Sequence, residues 1–82
     1  MAEITRVLGW TPTGKTLGRR IEAFVPRLFR IARSWGCNAE LAHELVQETV
    51  VTALSKIKQL RKESALESWL ISILANSHRG HL

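Results

Sequence analysis

The sequence predicts an all-α fold, a small domain of three to four helices. Three segments carry apolar residues at three- and four-residue steps, the spacing that aligns side chains along one face of a helix. No segment alternates apolar and polar residues for long enough to form a sheet. With 82 residues, 45% of them apolar, the chain can enclose one modest core.

The N-terminal segment, residues 1–16, differs in composition from the rest of the chain. It contains Gly9, Pro12, Gly14 and several threonines, and such residues favour turns and irregular backbone. We therefore predict an irregular arm over residues 1–16 and a helical domain over residues 17–82.

The first helix is predicted over about residues 17–35. Pro26 either kinks this helix or marks the start of its main part, because proline lacks the amide hydrogen that a helix interior uses. Gly36 is well placed to end the helix. Arginines lie roughly opposite the apolar face, which is expected to pack on the core and consists of Ile21, Phe24, Val25, Leu28, Ala32 and Trp35.

The second and third helices are predicted from capping residues and apolar stripes. Asn38 is a favourable cap for a helix over residues 39–59. Ser64 and Glu67 have the spacing of a capping box, which would start a third helix that ends near Gly80. The expected core residues are Ala42, Leu45, Val46, Thr49, Ala53, Ile57 and Leu60 in the second helix, and Leu66, Trp69, Leu70, Ile73, Leu74 and Ser77 in the third.

The charge of the chain indicates the class of its partner. Twelve Lys and Arg against seven acidic residues give a net charge of +5. This excess favours a polyanion, either nucleic acid or an anionic membrane surface, although the same charge also keeps a protein soluble. An amphipathic first helix lying on a membrane is one such alternative.

Three further features predict a cytoplasmic protein without membrane insertion. No apolar run is long enough to span a bilayer, and the first residues lack the pattern of a secretory signal. Cys37 is the single cysteine, so an intrachain disulfide is excluded and a reducing compartment suits the chain.

One segment matches a nucleotide-binding motif. Residues 9–16, from Gly9 to Thr16, fit the phosphate-loop pattern G-x-x-x-x-G-K-[ST] and lie between a strand-like stretch and a helix. A nucleotide-hydrolysing domain also needs a parallel sheet and an Asp that holds magnesium, and this sequence contains neither further strands nor any Asp. A nucleotide-binding fragment that uses residues 9–16 is kept only as the alternative hypothesis.

Metal binding and catalysis are not supported by residue spacing. Cys37, His43, His78 and His81 lack the spacing of zinc ligands, and no arrangement of nucleophile, base and acid is evident. We predict no metal, no cofactor and no enzymatic activity. The two C-terminal histidines are expected beside phosphate or solvent.

The outward face of the second helix combines acidic, amide and apolar side chains. Glu44, Gln47, Glu48 and Val51 share this face at helical spacing. In a basic chain, such a face suggests a docking surface for a basic partner protein, and the alternative is an ordinary solvated face.

Three blocks of sequence resemble region 2 of the extracytoplasmic-function (ECF) sigma factors of bacteria. They are FVPRLFRIA at residues 24–32, AHELVQET at residues 42–49 and RKESALESWLISI at residues 61–73. Their order and spacing match the family over about residues 20–82, and the ELVQE stretch is the most specific part.

The resemblance implies two partners in transcription initiation. It implies that Glu44, Gln47, Glu48 and Val51 bind the clamp helices in the largest subunit of core RNA polymerase. It also implies that the loop at residues 59–65 and the third helix read the non-template strand of the −10 promoter element, with one base flipped into a pocket. An anti-sigma factor is a further partner that the resemblance allows. The residues expected to contact DNA are Arg61, Lys62, Ser64, Asn76 and Arg79.

The sequence departs from the family pattern at several positions. Glu44 stands where Asp is usual, His43 replaces another acid, and Leu66 replaces an aromatic residue. Family members continue into a second helical domain that reads the −35 element. That domain is expected to be absent from this chain, which we therefore expect to be a domain fragment.

Overall fold

The computed structural model, which describes residues 14–82, contains three α-helices. These are α1 (Gly14–Ser34), α2 (Ala39–Ser55) and α3 (Leu66–Gly80). Two short 3₁₀ helices, Ile57–Gln59 and Glu63–Ala65, lie between α2 and α3. No strand occurs in this part of the chain, so the predicted all-α class is confirmed. Most of the predicted N-terminal arm, residues 1–13, lies outside the described residues.

Helix α1 is continuous through Pro26 and begins three residues before its predicted start. The suggestion that the helix starts at Pro26 is therefore wrong. Proline removes one intrahelical hydrogen bond, the one that the carbonyl of Glu22 would accept, and the turns on either side retain theirs. Gly36 ends α1 as predicted, because its φ of 94° suits glycine. The amide of Cys37 then donates to the carbonyl of Ala32 at 3.3 Å.

Helix α2 begins where the sequence predicted and ends four residues early. The Oδ1 of Asn38 accepts a hydrogen bond from the amide of Leu41 at 2.8 Å, which confirms the predicted cap. After Ser55 the backbone tightens into a 3₁₀ turn. Leu60 is buried beyond this turn and anchors the connecting segment to the core.

The predicted capping box of α3 is wrong. The helix begins at Leu66, and Ala65 occupies the cap position without a side-chain hydrogen bond. Ser64 lies instead in the preceding 3₁₀ turn with its side chain exposed. Glu67 forms an ion pair with Arg27 of α1, so its carboxylate is used between helices rather than at the helix start.

Helices α1 and α3 run in the same direction, and α2 runs antiparallel to both. Contacts between α1 and α3, counted with the turns that flank them, follow one another in the same order along the two segments. The C-terminal ends of α1 and α3 therefore meet at one end of the domain, and the segment that joins α2 to α3 lies at the other. These contacts are Arg20 with Glu63, Arg27 with Glu67, and Trp35 with His78.

The core lies where the three helices meet, and each helix packs on the other two. Most residues of the predicted stripes are buried. The prediction that Trp35 lies on the buried face of the first helix is wrong. The residue lies in the turn after α1, and 37% of its surface is exposed. Phe24, Val25, Ile57, Trp69 and Ser77 are half-buried at the edge of the core. The buried apolar residues are Leu17, Ile21, Leu28, Ala32, Cys37, Ala42, Leu45, Val46, Ala53, Leu60, Leu66, Leu70, Ile73 and Leu74.

Candidate functional site

The four residues predicted to bind polymerase lie together on the outer side of α2, and we call this set the acidic face. Glu44, Gln47 and Val51 are exposed, and Glu48 is half-buried. Val51 has 67% of its surface exposed, so the acidic face includes an accessible apolar side chain. The opposite side of α2 is buried in the core, so helical periodicity alone projects the acidic face outward.

Two open grooves border the acidic face. One, of about 490 Å³, lies between α2 and the end of α3 and is lined in part by Glu44, Glu48 and Ser77. The other, of about 370 Å³, lies between α1 and α2. Gln47 and Val51 line both grooves. They therefore form a ridge that a partner helix or loop can straddle.

His81 contacts the acidic face from the C-terminal end of α3. Its Nε2 lies 2.9 Å from Oε2 of Glu48 and 4.0 Å from Oε2 of Glu44. The hydrogen bond to Glu48 raises the pKa of His81 above its ordinary value of 6.5. Desolvation opposes this shift, and the charges of Glu48 and Glu44 reinforce it. Sequence reasoning missed this contact, because it placed His81 beside phosphate or solvent.

His78, the other C-terminal histidine, is half-buried. Its ring stacks on Trp35 of the turn after α1, with centroids 5.3 Å apart and an interplanar angle of 19°. Both rings are partly accessible. The stack closes the end of the domain at which α1 and α3 finish.

A basic segment, which we define as Lys56, Lys58, Arg61 and Lys62, joins α2 to α3. All four side chains are exposed. In the described part of the chain, none of them forms an ion pair. The neighbouring apolar residue Leu60 is buried, and this fixes the segment so that its charges face solvent.

The residues predicted to contact DNA fall into two groups. Arg61, Lys62 and Ser64 lie in the connection before α3, whereas Asn76 and Arg79 lie in the last turns of that helix. At 1.5 Å per residue, the two groups are roughly 20 Å apart. Asn76 and Arg79 are exposed, and the Arg79 guanidinium donates to Oδ1 of Asn76.

An exposed polar stripe connects these two groups along α3. Ser68, Ser72, Asn76 and Arg79 follow at steps of three or four residues, and all are exposed. Leu70 and Leu74, on the opposite side of the helix, are fully buried. The basic segment is therefore continuous with this polar stripe of α3.

Comparison with known proteins identifies the domain. Residues 20–82 match the family model for sigma-70 region 2. The chain belongs to the sigma-70 region 2 family. It is similar to the ECF RNA polymerase sigma factor EcfG of Rhodopseudomonas palustris (strain TIE-1), with 41% identity over 68 residues. This alignment covers 83% of the chain and 38% of the relative, so the chain spans well under half of that protein. No solved structure matches it significantly.

The match confirms the resemblance to region 2 of ECF sigma factors. Two positions expected to depart from the family pattern are packed in this region 2 domain. The ring of His43 lies against Phe29 of α1 with centroids 4.6 Å apart. Leu66 is 2% exposed and fills the core at the start of α3.

The two alternative hypotheses gain no support from the structure. The nucleotide-binding hypothesis rests on residues 9–16, and most of that segment lies outside the described residues, while residues 14–16 form the first turn of α1. The apolar face of α1, which a membrane-surface module would insert into lipid, is packed in the core of the region 2 domain. Within residues 14–82, no helix is both long and apolar enough to cross a bilayer.

Proposed function

We propose that this region 2 domain acts in transcription initiation as a non-catalytic adaptor that joins core RNA polymerase to −10 promoter DNA in the cytoplasm. One observation carries the proposal: the domain presents an acidic face and a basic segment on separate parts of one helical core. Surfaces of opposite charge suit two different partners, one basic and one polyanionic.

The acidic face fits a basic helical partner, which in this family is the clamp of the largest polymerase subunit. Glu44 and Glu48 supply negative charge, and exposed Val51 supplies an apolar contact between two grooves. Charge complementarity speeds encounter and selects the partner, whereas the desolvated centre of such an interface supplies most of the affinity. Val51 is therefore expected to be an anchor of this contact.

The basic segment and the polar stripe of α3 fit a single strand of DNA. Exposed Lys and Arg side chains neutralise phosphates without reading sequence, and amide side chains such as that of Asn76 can both donate to and accept from a base edge. Flipping a base costs a few kcal/mol and requires compensating contacts. Arg61, Lys62 and Ser64 are well placed to supply them at the start of α3.

Binding of the 82-residue chain to purified core RNA polymerase tests the proposal. A wild-type complex should form, and Val51→Asp should weaken it by at least about tenfold, since the change places a charge at a desolvated centre. Ala23→Asp introduces the same side chain at an exposed position of α1 and serves as the matched control. Failure of the wild-type chain to bind, or equal weakening by the two variants, would contradict the proposed polymerase contact.

A further inference from the structure

Glu44, Glu48 and His81 bring three potential metal ligands together from two helices. One carboxylate oxygen of each Glu and a ring nitrogen of His81 all lie within 4.8 Å of one another. The two Glu are one turn apart on α2, and His81 follows the last turn of α3. Because the helices run antiparallel, residues distant in sequence share one site.

The charge balance of this cluster is incomplete. Glu63 and Glu67 each pair with an arginine of α1. Among the described residues, by contrast, no Lys or Arg pairs with Glu44 or Glu48, and His81 is the basic group beside both. Like charges at this helical spacing repel each other. A divalent cation would neutralise both carboxylates, which one imidazole does not do.

The ligand types indicate which cation fits. A histidine nitrogen with carboxylate oxygens suits a borderline divalent ion such as Zn²⁺, whereas Ca²⁺ and Mg²⁺ prefer oxygen ligands alone. Ligands around Zn²⁺ at about 2.1 Å are separated by about 3.4 Å in a tetrahedral site. The separations between His81 and the two carboxylates are 2.9 and 4.0 Å, on either side of this value, and all three ligand atoms lie within 4.8 Å of one another. The adjoining groove is open, which leaves space for a water ligand.

We propose that Glu44, Glu48 and His81 form a binding site for a divalent transition-metal ion of the zinc type, which would fasten the end of α3 to α2. The ion would occupy two carboxylates of the acidic face. The proposal rests on the geometry of the cluster and is independent of the proposed role in transcription.

Calorimetric titration of the untagged 82-residue chain with Zn²⁺ tests the site. Wild-type protein should bind one ion per chain. His81→Ala and Glu48→Gln should each weaken binding by at least about tenfold, because each removes a direct ligand and even indirect partners of a metal commonly contribute that much. Circular dichroism of each variant would verify that it remains helical.

His78→Ala is the matched control, because His78 lies one turn before His81 on α3 but stacks on Trp35. This variant should bind Zn²⁺ within about twofold of wild type, well below the effect of removing a ligand. A wild-type titration without saturation would overturn the site, as would equal weakening by His78→Ala and His81→Ala. Dependence on Cys37 but not on His81 would also overturn it, by locating the ion elsewhere.

Discussion

The Nε2 of His81 lies 2.9 Å from Oε2 of Glu48, so that the end of α3 is hydrogen-bonded to the acidic face of α2. The two residues are 33 positions apart, and only the antiparallel packing of the helices brings them together. Glu48 is therefore both a member of the predicted docking surface and a partner in an interhelical contact. Glu44 is more exposed and lies farther from His81, at 4.0 Å, so a change there disturbs the interhelical contact less than a change of Glu48.

We expect His81 to titrate above its ordinary pKa of 6.5, because the carboxylate of Glu48 favours the protonated imidazole. Glu48→Gln should lower the pKa of His81 toward its ordinary value. Nuclear magnetic resonance titration of the imidazole signals, with a chelator present, measures both values. Glu40→Gln removes an acid one turn before Glu44 and is the control. An unchanged His81 pKa in Glu48→Gln would show that the interaction is absent in solution.

The same raised pKa makes the effect of this hydrogen bond on stability depend on pH. A group whose folded pKa exceeds its unfolded value stabilises the fold fully below the unfolded pKa, and this stabilisation disappears as pH rises through the folded pKa. Wild type should therefore exceed Glu48→Gln in free energy of unfolding at acidic pH, and the difference should shrink on raising the pH past the folded pKa. Urea denaturation at several pH values measures this difference, and a constant or growing difference would contradict the assignment.

Leu70 should be among the residues most important for stability. It is fully buried in α3, where the three helices meet. Leu70→Ala should lower the free energy of unfolding by about 2–5 kcal/mol, because apolar surface is no longer buried and a cavity remains. Leu54→Ala, at a position with 43% of its surface exposed, should cost about 1 kcal/mol or less. Urea denaturation measures the free energy of unfolding of both variants. An equal decrease in the two would mean that the core is misplaced.

Helical periodicity predicted the core of this domain because each apolar stripe had a single way to be buried. The prediction was wrong where a side chain contacts a residue of another helix or turn instead of following the pattern of its own helix. Glu67 fits a capping box in sequence, yet it pairs with Arg27, which only the packing of α1 on α3 brings within reach. Trp35 continues the apolar spacing of α1, but Gly36 ends the helix and the ring leaves the core face to stack on His78.

The candidate site was predictable to the extent that it lies on one element. Glu44, Gln47, Glu48 and Val51 share a face of α2, so helical spacing alone grouped them. The interaction of His81 with two of them depends on how α2 and α3 align, which residue spacing does not report. The residues predicted for DNA binding belong to two groups at opposite ends of α3. The resemblance assigned their roles but could not give the distance between the two groups.

The basic segment should bind single-stranded DNA mainly through phosphates. Arg61→Ala and Lys62→Ala should each weaken binding and reduce the salt dependence of the association constant by roughly 0.7 for each phosphate that is no longer neutralised. Fluorescence anisotropy with a fixed oligonucleotide at several salt concentrations measures both quantities. Arg30→Ala removes the same charge from an exposed site on α1 and should leave the slope unchanged. An equal reduction of the slope in Arg30→Ala would indicate attraction by net charge alone.

The acidic face and the basic segment are proposed to serve different partners. The most direct measurement titrates wild type, Glu44→Lys and Lys62→Ala against both core RNA polymerase and single-stranded DNA. Glu44→Lys should weaken polymerase binding by at least about tenfold while DNA binding is retained or slightly strengthened, since like charge then faces a basic clamp. Lys62→Ala should lower DNA binding and leave polymerase binding unchanged. If both variants stay helical and each weakens both interactions equally, the two surfaces do not act separately, which would contradict the proposed division between two partners.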